Sequence, residues 1–406
     1  MRILFLSQVL PYPVDAGPKM RSYFVLRHLV QKHEVTLLTF VRDTDRPQDI
    51  AHMVELCQAI HTVPMRRNRM RDIKFLAQSL LTQEPFLIVR DQIPAMTAKI
   101  HQLVTSEPFD AIHVDQLWMA QYALMAAQSA ASQPRLILDQ HNAVHLIPQR
   151  LADGERNPIK QGLMAREARL LTRYESEICR RFDHVVWVTE EDRQAVAALS
   201  RANSNGQMPS TVIPICADPA QIEPVTSAPN KHRITFLGGL HWPPNAQGIV
   251  WFARDVFPQV QAQIPAATLT VIGKSPPAGL DGDGIEVTGY VDDLKSYLGE
   301  TAAFIVPLHA GGGMRVKILD AWSWGLPVVS TTVGAEGMAV QHEKNILIAD
   351  TAPAFAEATV RVLEDTALAQ HLGQNGRQTI LEKYNWQTVY SAWDEVYLEV
   401  GNSNGA

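Results

Sequence analysis

The sequence predicts an α/β chain folded as two doubly wound parallel-sheet domains. Three observations carry that prediction. Short apolar, β-branched runs alternate with longer amphipathic segments along nearly the whole chain. The runs fall into two sets on either side of a proline-rich stretch, and glycines follow several of them directly.

Taken in order, the first set of predicted strands is Ile3–Ser7, Val35–Phe40, Thr62–Pro64, Ala111–Val114, Leu136–Asp139, His184–Val188 and Val212–Ile215. The opening apolar run from Met1 to Leu10 stops at Pro11-Tyr12-Pro13, so it reads as a buried first strand and not as a leader. The second set is Ile234–Leu237, Leu269–Gly273, Ile285–Thr288, Phe304–Pro307, Val328–Thr331 and Ile346–Ala349. Pro214 to Pro229 holds four prolines and no apolar periodicity, which reads as a linker. The predicted organisation is therefore a first domain over residues 1–213, a linker over 214–230 and a second domain over 231–385. Residues 200–209 read as a surface loop and 401–406 as a disordered tail. The segment Trp386–Val400 carries Trp386, Val389, Tyr390, Trp393, Val396 and Tyr397 at helical spacing and is expected to pack inside.

Composition bounds the function. A 46% apolar and 19% charged chain of 406 residues is ordinary for a soluble globular protein with two or three domains. Net charge is −6, split as +2 over residues 1–200 and −8 over residues 201–406, which lacks the concentrated basic face that nucleic-acid binding requires. Cys57, Cys179 and Cys216 fit neither a disulfide framework nor a metal-ligand spacing, so a reducing compartment and no metal are expected. No apolar stretch approaches the roughly 20 residues that span a bilayer, and the expected location is the cytoplasm.

The richest stretch runs from Gly311 through Gly312, Gly313, Met314, Arg315 and Lys317 to Asp320, and on through Gly325-Leu326-Pro327 into Val328-Val329-Ser330. A glycine turn lets the backbone approach an anion closely, and the first helical N–H groups add about half a positive charge. Arg315 offers a fork and Lys317 a point charge, which together describe a diphosphate seat. Asp320 lies on the same side of the helix as Lys317, where a carboxylate accepts hydrogen bonds from ribose hydroxyls. A glycine turn opening an amphipathic helix with a solvated ion pair has the same composition; the strand that follows at once argues for an αβ unit of a parallel sheet.

These residues resemble the donor-site signature of retaining glycosyltransferases of family 4, which have the GT-B fold: two Rossmann-like domains facing across a cleft, donor on one side and acceptor on the other. The resemblance rests on Val306-Pro307-Leu308, the glycines, Lys317-Ile318-Leu319-Asp320-Ala321-Trp322 and Gly325 to Thr331. In that family two glutamates with seven residues between them bracket the donor; this chain has Gly312 and Asp320 at those places, so a ribose carboxylate is kept and the one near the sugar is not. The resemblance implies that Gly238-Gly239 approaches the phosphates, that Gly273 ends a neighbouring strand at the site and that Gly289-Tyr290-Val291 lies beside the base. Where members carry a cation after the first glycine pair, this chain has Leu240-His241. The resemblance also implies that the segment 386–400 crosses back onto the first domain.

In the first domain the family's glycine-rich loop corresponds to Asp15-Ala16-Gly17, of which only Gly17 remains; Asp15 reads equally as a helix cap. Asp139-Gln140-His141-Asn142 ends a strand, and similarity to the family's Asp-x-His-Asn run makes His141 the candidate for contact with the reacting sugar or the acceptor. Asp115 is the candidate acceptor partner or base. The implied reaction is front-face transfer with retention, in which the departing diphosphate takes much of the acceptor's proton demand. The expected partners are a UDP- or GDP-sugar and a glycan, lipid-linked or envelope-polysaccharide acceptor. The basic segment 66–74 suits a solvated helix face or peripheral contact with anionic lipid at the inner face of the cell membrane. Two other functions share the architecture: a sugar-nucleotide 2-epimerase and a non-catalytic nucleotide-sugar-binding protein.

Overall fold

The computed structural model describes residues 1–201, 208–225, 232–291 and 293–402. Most of the expected loop 200–209, the end of the expected linker and the last residues of the tail lie outside them. The chain divides into two compact units, Met1–Ile215 with Trp386–Ala406, and Cys216–Asn385.

In the first unit the strands are β1 Arg2–Ser7, β2 Glu34–Val41, β3 Ala59–Pro64, β4 Ala111–Asp115, β5 Arg135–Gln140, β6 His184–Trp187 and β7 Ser210–Val212, in the order β3-β2-β1-β4-β5-β6-β7. Ile3, Leu4, Phe5 and Leu6 of β1 are fully buried, as a central parallel strand covered on both faces requires. All the pairings are parallel, and the order reverses between β1 and β4. Register places Ser7 beside Asp115 and Asp115 beside Asp139, so three polar side chains cross the carboxyl ends of three adjacent strands in one row. Three strands differ from expectation: β3 begins earlier, at Ala59, β13 is shorter, and β7 begins at Ser210, after which Ile213 N–H, which donates to the Trp187 carbonyl at 2.8 Å, continues the ladder. Pro214 follows with no N–H to offer, which ends the pairing.

The last segment of the chain belongs to this unit as two helical pieces, Trp386–Val389 and Ala392–Asn402. Trp386 stacks 5.7 Å from Phe24, and Tyr390, Trp393, Val396 and Tyr397 are buried.

The second unit holds β8 Arg233–Leu237, β9 Thr268–Ile272, β10 Ile285–Gly289, β11 Ala303–Val306, β12 Val328–Ser330 and β13 Leu347–Ile348, parallel in the order β10-β9-β8-β11-β12-β13. Phe236, Phe252, Phe257 and Phe355 fill its core. The described part of the expected linker is packed against this unit: Ala217 N–H donates to the Tyr384 carbonyl at 2.8 Å, and Val225 N–H to the Trp324 carbonyl at 2.9 Å. Composition alone reads that stretch as a linker because its contacts reach about a hundred residues or more along the chain. Among the described residues no helix is long and apolar enough to cross a membrane.

Candidate active site

In the second unit the order of strands reverses between β8 and β11, and the glycine loops follow the carboxyl ends of those two strands. After β11 the chain turns through Gly311 and Gly313, at φ 138° and 69°, conformations that a side chain resists, and enters the helix Val316–Ser323. Lys317, half-buried on the first turn, lays its ammonium 4.5 Å from the Phe236 ring centroid and donates to Asn245 Oδ1 at 2.7 Å. Asn245 in turn donates to the Gly239 carbonyl at 2.9 Å. A Cβ at Gly238 would lie 2.9 Å from Lys317 Nζ, so the missing side chain makes room for the cation. Gly273 directly follows β9, its N–H donating to the Gly289 carbonyl at 2.8 Å.

The electrostatics of this corner are displaced. Burial, with help from the Arg315 charge, pushes the Lys317 ammonium down to about 7, against the pull of Asp320. Burial pushes the Asp320 carboxyl up to about 7, and Lys317 only partly opposes it. Each group is held near neutrality by lost water, and a diphosphate next to the amine or hydroxyls next to the acid would restore its charge.

Arg315 takes a different place from the expected one. Its guanidinium is buried and turned into the loop: Nη1 donates to the Gly312 and Gly313 carbonyls at 2.6 and 3.0 Å, Nε to the Val333 carbonyl at 3.1 Å, and Nη2 meets Glu336 at 3.2 Å. The fork therefore braces the glycine turn, whose close-packed carbonyls need donors. Met314 is buried behind the turn, Val291 is half-buried after β10, and Tyr290 stands exposed with Lys274 Nζ 4.1 Å from its ring centroid. Sequence reasoning missed Asn245 and the role of Glu336; neither carries a local signal.

In the first unit His141 and Asp115 come together, with His141 Nε2 2.9 Å from Asp115 Oδ1. The hydroxyls of Ser7 and Ser22 lie 2.8 and 2.9 Å from Asp115 Oδ2. Behind them Asp139 is gripped by Arg21, Nε to Oδ2 at 2.9 Å and Nη2 to Oδ1 at 3.0 Å, and both side chains are fully buried. Arg21 also donates to the Pro214 carbonyl at 2.7 Å and lies over the rings of Tyr390 and Trp393. Burial opposes the Arg21 charge, and Asp139 with Tyr390 more than restores it, so the guanidinium sits above its ordinary value. His113 is sealed between Phe5, 4.3 Å away, and Tyr397, whose hydroxyl is 2.8 Å from Nδ1; burial pushes its imidazole down to about 3.

The loop that presents His141 is fixed by two buried carboxylates. Glu175 accepts from Gln140 Nε2 at 2.7 Å, Val144 N–H at 2.9 Å and His145 N–H at 3.2 Å, and meets His145 Nδ1 at 2.7 Å. Asp192 accepts from Ala143 N–H at 2.7 Å and is capped by Thr189. Gln116, directly after Asp115, is held at φ 73°, local strain of the kind that gathers at functional sites. One donor atom from each of Asp115, Asp139 and His141 lies within 4.8 Å of the others. Arg21 closes Asp139 and the two hydroxyls meet Asp115 Oδ2, while Asp115 Oδ1 and both His141 nitrogens have no hydrogen-bond partner among the described residues.

Asp15 does not cap the helix Gly17–Leu29: the cap position is Ala16, and exposed Asp15 pairs with Lys19 at 3.0 Å instead. Gly17 is the first helical residue, one turn before Arg21 and Ser22.

Two family models match along the chain: "Glycosyl transferase 4-like domain" over residues 17–206 and "Glycosyl transferases group 1" over residues 231–365. The chain belongs to the glycosyltransferases built from these two domains. Similar curated proteins include an uncharacterized 44.6 kDa protein in the cps region of Klebsiella pneumoniae, 28% identical over 39% of this chain and 44% of that protein. A GDP-mannose-dependent α-(1-6)-phosphatidylinositol monomannoside mannosyltransferase of Mycobacterium tuberculosis is 25% identical over 32% of this chain and 39% of its own. The chain thus spans less than half the length of either relative. Among solved structures, sucrose-phosphate synthase of Thermosynechococcus elongatus superposes with TM-score 0.73 at 18% identity over 99% of this chain and all of that one. HepE of Anabaena in complex with UDP-glucose does so with TM-score 0.66 at 14% identity over 98% and 100%. Both give the GT-B fold to this glycosyltransferase.

Proposed function

We propose that this protein transfers a glycosyl group from a UDP- or GDP-sugar to a glycan or lipid-linked acceptor in envelope-polysaccharide synthesis, with retention at the anomeric carbon. One observation carries the reading: a half-buried Lys317 ammonium, short of full charge until an anion arrives, beside a glycine pair at the point where the second sheet reverses. In the reaction Lys317 and the amino end of its helix meet the departing diphosphate, and Asp320 receives the ribose hydroxyls. His141, oriented by Asp115, contacts the reacting sugar or acceptor, and no metal has a part. Incubation with a panel of sugar nucleotides tests the reading. Hydrolysis or transfer supports it; interconversion of epimers, or tight binding with no turnover, overturns it.

Docking on anionic lipid at the cytoplasmic face of the membrane belongs to the same reading. The helix Arg69–Thr82 exposes Met70, Ile73 and Leu81 at 78%, 65% and 86%, beside exposed Arg66, Arg69 and Lys74. Arg67 is not part of that face, since it meets buried Asp91 at 2.8 Å. Flotation with phosphatidylglycerol vesicles should lose the Ile73→Glu/Leu81→Glu variant while retaining wild type; equal recovery of both in the soluble fraction would remove lipid docking.

A further inference from the structure

The second unit carries a cavity at the other end of its sheet. About 660 Å³ in volume, it opens beside Ala302 and Pro327, which precede β11 and β12, and so lies at the amino ends of strands whose carboxyl ends bear the donor seat. Its size is that of a small-molecule site. Leu326, Val362 and Leu363 form a buried apolar floor. One helix, Thr366–Lys383, supplies the polar side, with Gln370, Gln374, Arg377 and Gln378 following one another at helical spacing.

Charge narrows what such a space accepts. Arg377 is the single charged side chain among the described residues that line it. Its guanidinium donates to the Ser323 carbonyl, to the Pro219 carbonyl at 2.8 Å and to the Ile222 carbonyl at 3.0 Å, and burial lowers its pKa. All three acceptors are neutral, and among the described residues no carboxylate pairs with the cation to balance it. An apolar floor with one uncompensated guanidinium at its edge matches a ligand with an apolar body and a single negative charge.

We propose that this cavity is a second ligand site, for a small monoanionic molecule with an apolar body, distinct from the donor seat and placed behind the same helix. The connection to that helix is direct. Ser323 is its last residue, and the Thr366–Lys383 helix lies close against it because a Cβ at Gly376 would strike the Trp322 ring.

Two dyes that share one apolar framework test the proposal on the intact protein: anilinonaphthalene sulfonate, which carries one negative charge, and phenylnaphthylamine, which carries none. By fluorescence titration the rim substitution Gln374→Trp should weaken both dyes roughly tenfold or more by filling the space. Arg377→Gln should weaken the sulfonate by a similar factor and leave the neutral dye unchanged, which also shows that the cavity has kept its shape. Saturating UDP-glucose or GDP-mannose should leave the sulfonate bound. Undiminished binding by Gln374→Trp, equal loss of both dyes in Arg377→Gln, or displacement of the sulfonate by the sugar nucleotide would each overturn the proposal. None of these outcomes depends on transfer activity.

Discussion

The two units handle buried charge in opposite ways. At the end of the first sheet the buried charge is closed within the unit: Arg21 grips Asp139, and both side chains are fully buried. At the end of the second sheet Lys317 and Asp320 are both drawn to about 7 because burial outweighs the help each receives. The Arg21–Asp139 pair is complete without a ligand, whereas under the proposed function a bound donor completes Lys317 and Asp320. Mutations should therefore register as lost stability in the first unit and as lost donor affinity in the second.

The largest effect should come from splitting the finished pair. Arg21→Met leaves the Asp139 carboxylate buried and unpaired, so urea denaturation should show a loss of about 3–5 kcal/mol. Arg21→Met/Asp139→Leu should recover much of it, and a loss in the double variant as great as in the single would break the contrast. Next comes Lys317→Ala, which should weaken sugar-nucleotide binding by about 1.5–3 kcal/mol by calorimetry while leaving the melting temperature at or above wild type. Unchanged donor affinity there would shift the seat elsewhere.

The pH dependence of donor binding sharpens the same contrast. Lys317 has its free-protein value lowered to about 7, so its attraction for the diphosphate is complete below that pH and fades as pH rises toward the higher value it takes in the complex. Asp320 is raised to about 7, so its hydrogen bonds with ribose are complete above that pH and fade below it. Affinity should peak near neutrality; Lys317→Ala should flatten the alkaline limb and Asp320→Asn the acid limb. Symmetric flattening by either variant would mean that the pair titrates as one unit. The smallest effect belongs to Asp15→Ala, where loss of an exposed pair with Lys19 should change stability by less than about 0.5 kcal/mol in urea denaturation.

Much of this architecture was legible because local pattern encodes it. Apolar runs such as Ile3–Leu6 and Phe304–Val306 are the central strands, and the turn at Gly311 to Gly313 opens the helix Val316–Ser323 as its composition implies. His141 and Asp115, 26 positions apart in sequence, meet because each ends a neighbouring strand. What stayed hidden depends on the direction a side chain takes or on distant partners. Arg315 reads as an anion fork until the carbonyls of its own loop claim it. Asn245 is ordinary until Lys317 arrives from 72 residues away, and Arg21 finds Asp139 across 118. The described residues from Pro214 on read as a linker because proline content is visible and contacts with Trp324 and Tyr384 are not.

Tyr390, Trp393 and Tyr397 floor the pocket of Arg21 and His113 from a segment made after the whole second unit. A ribosome thus releases the seven strands of the first sheet long before their aromatic floor exists. Through that interval the Arg21 guanidinium and the His113 ring lack their final covering, so they are sealed only after the second unit has been made.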